Sequence, residues 1–165
     1  HLIPSPGARL RQRTEIRLGR DATALVWDAW AVGRPAREEM WGFAELDIAL
    51  EIRDPRGPVL LERARLAGHA FWAGLGGTEG MAYVGSFVVA AAADHDWPGL
   101  ARAVAAGLPS GCDGARVGIT TLGRGGVLAR VLAPSAPLLT AAAEALWSRS
   151  RYQVFGLPPL TLRKL

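Results

Sequence analysis

The sequence predicts a mainly β fold: layered antiparallel sheets in an elongated body, with two α-helices in the C-terminal part. Three observations carry this. Two long segments alternate apolar and charged residues with a period of two, the mark of half-buried strands. A third segment is apolar almost throughout, as a strand covered on both faces would be. Helix caps followed by helical spacing occur only after Asp96.

Residues 8–18 form the first alternating segment. Ala8, Leu10, Gln12, Thr14, Ile16 and Leu18 share one face, and Arg9, Arg11, Arg13, Glu15 and Arg17 share the other. Gly19-Arg20-Asp21 is a turn, and residues 23–32 are the apolar strand, broken by Gly33-Arg34-Pro35. Residues 41–53 alternate again, with Ala44, Leu46, Ile48, Leu50 and Ile52 opposite Glu45, Asp47, Glu51 and Arg53. Asp54-Pro55-Arg56-Gly57 suits a type I turn, so a strand over 59–66 returns as a hairpin. Residues 69–80 are glycine-rich and loop-like, and 81–92 form another strand. Asp96 caps a short helix over 97–106, ended by Gly107 and Pro109. Strands over 115–121 and 127–133 flank a Gly-Arg-Gly-Gly turn. Ser135 caps a second helix running through Ser150, with Leu139, Ala143, Leu146 and Trp147 as its apolar stripe; Leu157-Pro158-Pro159-Leu160 ends it.

The 165 residues fit a single domain spanning 1–165, and an apolar content of 50% provides for a sizeable core. No apolar run approaches the length of a membrane span, and the start lacks a signal-peptide pattern. Cys112 is the only cysteine, which excludes a disulfide framework within the chain and fits a reducing cytoplasm. The net charge is +4, yet Lys164 is the only lysine. Such an excess of arginine reads as base composition of the genome, so the charge does not argue for nucleic acid.

No nucleophile motif, phosphate-binding loop or zinc-protease helix is present, so the chain reads as a non-enzyme. Gly123-Arg124-Gly125-Gly126 is a hairpin turn, since no helix follows it. Asp94-His95-Asp96 is the tightest group of metal-ligand types, but successive side chains diverge and Asp96 serves the helix. His69 and Cys112 have no ligand partner nearby in sequence. The arginine face of the first strand reads as a solvated face. Asp28 and Glu62 are the informative residues. Asp28 interrupts Leu25-Val26-Trp27-Asp28-Ala29-Trp30, and Glu62 follows Val59-Leu60-Leu61. A carboxylate in a buried strand must be paired or wetted. Asp28 therefore either pairs with Arg34 or Arg63 or lines a polar channel; Glu62 is either a surface acid or its counterpart. A small ligand- or carbohydrate-binding β domain is the alternative reading that the six tryptophans allow, and an arginine-rich nucleic-acid binder is a third.

Several stretches together resemble the UreD (UreH) family of urease accessory proteins. Gly33, Arg34, Ala36 and Glu39 match the family's G-R-x-A-x-G-E stretch, with Glu38 in place of its second glycine. Pro58-Val59-Leu60-Leu61-Glu62-Arg63 is similar to its P-L-L-x-E-R strand, and Val127-Leu128-Ala129-Arg130-Val131-Leu132 to its V-x-R-x-L strand. Residues 2–12 resemble an L-P-x-P segment followed by A-R-x-x-Q. The resemblance covers the whole chain but begins midway through the family pattern; the family's N-terminal half is absent. It implies a nickel-insertion chaperone that binds apo-urease and UreF, and through UreF the GTPase UreG. It implies no tightly bound cofactor or metal, nickel in transit, and a cytoplasmic setting. Asp28 and Glu62 match acidic positions of a polar tunnel proposed as the nickel path, while Gly33, Arg34, Glu39 and Arg63 are motif residues with structural roles. The uncharged stripe of the second helix is the surface expected to serve UreF.

Overall fold

A computed structural model describes residues 1–67, 70–74, 76–108 and 114–158. His69 and Cys112 lie outside these residues. The chain runs through strands β1 (Arg9–Arg17), β2 (Thr23–Ala31), β3 (Gly33–Arg34), β4 (Glu39–Met40), β5 (Glu45–Asp54) and β6 (Gly57–Leu66). A one-turn helix α1 (Ala70–Ala73), β7 (Tyr83–Ala91), helix α2 (Trp97–Ala106), β8 (Arg116–Thr121), β9 (Gly126–Ala133) and helix α3 (Ala136–Phe155) follow.

Two sheets face each other. One has the order β1-β5-β6, the other β2-β7-β9-β8. The inward apolar residues of β5 and β6 meet those of β2 and β7 between the sheets, where Leu50, Ile52, Val59, Val88 and Ala90 are buried together. A second apolar group between the sheets joins Leu46, Ile48, Leu66 and Phe43 with Trp30, Trp41 and Trp72. The opposite face of the four-stranded sheet carries α2 and α3, through Phe87, Val89, Ala129, Val131, Leu139, Ala142 and Leu146. Strand β2 is thus covered on both faces, as its apolar run requires, and Leu2 guards its free edge through hydrogen bonds of 2.8 Å with Ala29 and Ala31.

The predicted fold class holds, with differences of detail. The β1–β5 pairing is parallel, the remaining pairings antiparallel. Period-two alternation is blind to strand direction. Strand β5 begins at Glu45 rather than at Trp41, because Trp41 takes a left-handed backbone (φ 61°). Helix α3 continues five residues past Ser150, to the left-handed cap at Gly156, whose N–H reaches the Tyr152 carbonyl. Its buried residues are Leu139, Ala142, Leu146 and Ser150, so Ala142 takes the place expected for Ala143, while Trp147 packs partly buried beside them; the stripe is spent on the chain's own sheet, so it is not the free surface expected for a partner. Asp96 caps α2 as expected, accepting the Gly99 N–H at 2.8 Å. Among the described residues, no helix is long and apolar enough to cross a membrane.

The motif around Gly33 is a small hairpin. Strand β3 pairs with β4, and Arg34 forms an ion pair with Glu39 across it. Gly33 has φ 135°, and a Cβ there would stand 2.1 Å from the Glu39 carbonyl oxygen. Glu38, the departure from the family pattern, adopts φ 59°, a conformation that glycine takes at little cost. Opposite outcomes follow for two neighbours, readable by denaturant titration. Gly33→Ala loses about 2 kcal/mol or more, and Glu38→Gly gains up to about 1 kcal/mol.

Candidate functional site

A polar row crosses the interior between the sheets and separates the two apolar groups there. On the four-stranded sheet, Asp28 of β2 stands opposite Ser86 of β7, and Ser86 opposite Arg130 of β9. Period-two geometry turns all three to the same face. Glu62 of β6 meets them from the other sheet. Arg130 Nη1 donates to Glu62 Oε1 at 2.5 Å and to Ser86 Oγ at 2.8 Å, while Ser86 Oγ is 3.4 Å from Glu62 Oε1. Gln12 of β1 donates to Asp28 Oδ1 at 3.3 Å. Asp28, Glu62, Ser86 and Arg130 line a common cavity of about 50 Å³, walled by Trp30, Ile48, Leu50, Ala64 and Val84. That volume suits one or two waters or an ion with part of its shell. The Glu62 side chain is 23% exposed, yet its second oxygen, Oε2, is buried and accepts no hydrogen bond from the described residues.

The two acids singled out in the sequence therefore come together, from different sheets. The ion pairs considered for Asp28 do not form. Arg34 is committed to Glu39 in the β3–β4 hairpin, and Arg63 lies on the outer face of β6, bonded to Asp47 at 2.7 and 2.8 Å. Nor is Glu62 a surface acid. It shares parity with Leu60, Ala64 and Leu66, while the outward Leu61 is 64% exposed. Sequence reasoning misses Gln12, Ser86 and Arg130 as members of the site. Arg130 carries the same signal as Asp28, a lone charge in an apolar strand.

The outer face of the three-stranded sheet is a charge ladder. Central β5 offers Glu45, Asp47 and Glu51; Arg9, Arg11 and Arg13 reach them from β1, and Arg63 and Arg65 from β6. Hydrogen bonds from Arg63 hold Asp47 below the usual carboxylate range, and Arg53, then Arg13, do the same for Glu51. The arginines of β1 are thus partnered as well as solvated. The six tryptophans pack against the apolar groups and present no aromatic platform. Asp94 and His95 are exposed, and among the described residues no group of three His, Cys, Asp or Glu side chains is placed to hold a metal.

At the far end of the sandwich, the Asp54 side chain is fully buried. Arg124 of the β8–β9 turn binds both its oxygens, at 2.6 and 3.0 Å. Its own turn adds the Arg56 N–H at 2.7 Å, and the Arg56 side chain continues to the Ala92 carbonyl at 2.9 Å. Arg124 first, then Arg56, hold the Asp54 carboxyl far below the usual range.

The family model described as UreD urease accessory protein matches residues 1–164. The chain belongs to the UreD family. A urease accessory protein UreD of Cupriavidus pinatubonensis is 29% identical over 161 residues, covering 94% of this chain and 54% of the relative. The urease accessory protein UreD 1 of Methylorubrum extorquens is 34% identical over 167 residues, covering 99% of this chain and 55% of the relative. One of Opitutus terrae is 32% identical over 142 residues, covering 84% and 50%. The chain spans about half the length of these UreD relatives.

Proposed function

We propose that this chain is the part of a UreD-type chaperone through which nickel passes toward apo-urease, and that it acts without catalysing a reaction of its own. The observation that carries the reading is the meeting of Asp28 and Glu62 on one cavity between two otherwise apolar sheets. Carboxylate and hydroxyl oxygens with room for water suit a divalent ion bound weakly, and transit requires weak binding. A resident site would need more ligands than two carboxylates, and a cation held by a complete set would not leave. Membership of a family of urease accessory proteins supports nickel as the cargo and UreF, through it UreG, and the urease subunits as the partners. The small-ligand alternative is less well served, since this cavity of about 50 Å³ and the more open one of about 220 Å³ beside Arg13, Glu51 and Arg63 both fall below the several hundred Å³ of a drug-sized pocket.

The test uses the full-length protein. It should co-elute with UreF and with apo-urease on size-exclusion chromatography, and urease produced without it should contain little nickel. Normal nickel content in its absence would remove the reading. Purified alone, it should hydrolyse no GTP or ATP.

A further inference from the structure

We propose that the Arg130 guanidinium is a resident counter-charge which a passing divalent cation must displace from Glu62, so that this carboxylate holds nickel only briefly. The inference rests on the transit reading above and adds the device that keeps the passage leaky.

The geometry is asymmetric in a telling way. Glu62 Oε1 is engaged by Arg130 at 2.5 Å and lies 3.4 Å from the Ser86 hydroxyl. Glu62 Oε2 is buried and takes no hydrogen bond from the described residues. Burying an unmet carboxylate oxygen is costly, and here it lies on the carboxylate that lines the cavity. A cation arriving in the cavity competes with Arg130 for this carboxylate. To use both oxygens it must drive the guanidinium off, because two cations on one carboxylate repel at short range. Arg130 can yield, since its side chain is 42% exposed and has water to move into. Its alternative partner, Ser86, is neutral and opposite it in the strand register. With Arg130 in place the cavity carries two carboxylates against one guanidinium; without it, both carboxylates face an ion unopposed.

The experiment measures binding of nickel alone to the full-length protein by equilibrium dialysis, with urease activation beside it. Arg130→Gln should tighten nickel binding about tenfold and lower urease activation, because nickel is retained. Adding Glu62→Gln to Arg130→Gln should cancel the tightening, which ties it to this carboxylate. Arg130→Lys keeps the charge without the fixed fork, so its affinity should stay within about threefold of native. Unchanged or weaker nickel binding in Arg130→Gln would overturn the proposal and leave Arg130 a structural ion-pair partner. Where the Arg130→Gln variant does not fold, Arg130→Lys decides by itself: tightening of about tenfold there would equally overturn the proposal. The transit reading fails separately, if Asp28→Asn and Glu62→Gln activate urease normally whatever Arg130 does.

Discussion

Replacing Asp28 by asparagine and Glu62 by glutamine together, in the full-length protein, is expected to lower urease activation at least about tenfold while the protein still folds and still binds UreF. The size follows from removing both negative charges that line the cavity, each worth several kcal/mol to a nearby cation at the effective dielectric of a protein interior. The choice of amides protects the fold. An asparagine in place of Asp28 keeps an acceptor for the Gln12 amide, and a glutamine in place of Glu62 keeps one for Arg130. Arg130 is itself partly solvated, so loss of its counter-charge does not strand a buried cation. Activity of reconstituted urease, nickel content by elemental analysis and UreF co-elution are the three readouts. Full activation with both amides in place would rule out a role for these carboxylates in transit.

Asp54→Asn is expected to cause the largest loss of stability among single polar changes, a fall in Tm on the order of 10 °C at neutral pH. One carboxylate joins three remote segments, the β5–β6 turn, the β8–β9 turn and, through Arg56, the end of β7. The asparagine leaves Arg124 without its counter-charge and Arg56 with only the exposed Asp94, 3.6 Å away. Acid should expose the same interaction in the native protein. The folded carboxyl titrates well below an unfolded aspartate, whose pKa is about 3.9. Its contribution is therefore complete above that value and drains away as pH falls below about 4 toward the folded pKa. Asp47 and Glu51 are depressed too and add slope of the same sign. Melting curves of both proteins from pH 7 to 3 should converge as the pH falls. A gap that stays constant would mean the carboxylate's charge is not what holds the turns.

Much of this architecture is legible in the sequence because each strand carries its own face assignment. Alternation puts the even-numbered residues of β1, β5 and β6 on the apolar side, and they line the interior. Asp28 is conspicuous for a different reason, as the one charge in a strand that is otherwise apolar on both faces. What one strand cannot report is its partner across the sandwich. Nothing local to Glu62 announces Arg130, and nothing local to Asp54 announces Arg124, 70 positions along the chain. The Gly-Arg-Gly-Gly segment is the turn that its composition indicates, but its arginine does not point to solvent alone. The family motif at Gly33 is explained by backbone geometry, which a pattern match records without giving its cause.

The parallel pairing of β1 with β5 also shapes the order in which the chain can assemble. The β5–β6 hairpin closes through a tight turn and needs no other segment. Strand β1 can join it only after the chain has passed through β2 in the opposing sheet and returned. Loop closure over that distance carries an entropic cost before any ladder bond offsets it. The hairpin is thus the natural early nucleus, and β1 a late addition. In stopped-flow chevrons, core truncations such as Ile52→Val should slow folding, whereas Ile16→Val in β1 should chiefly speed unfolding.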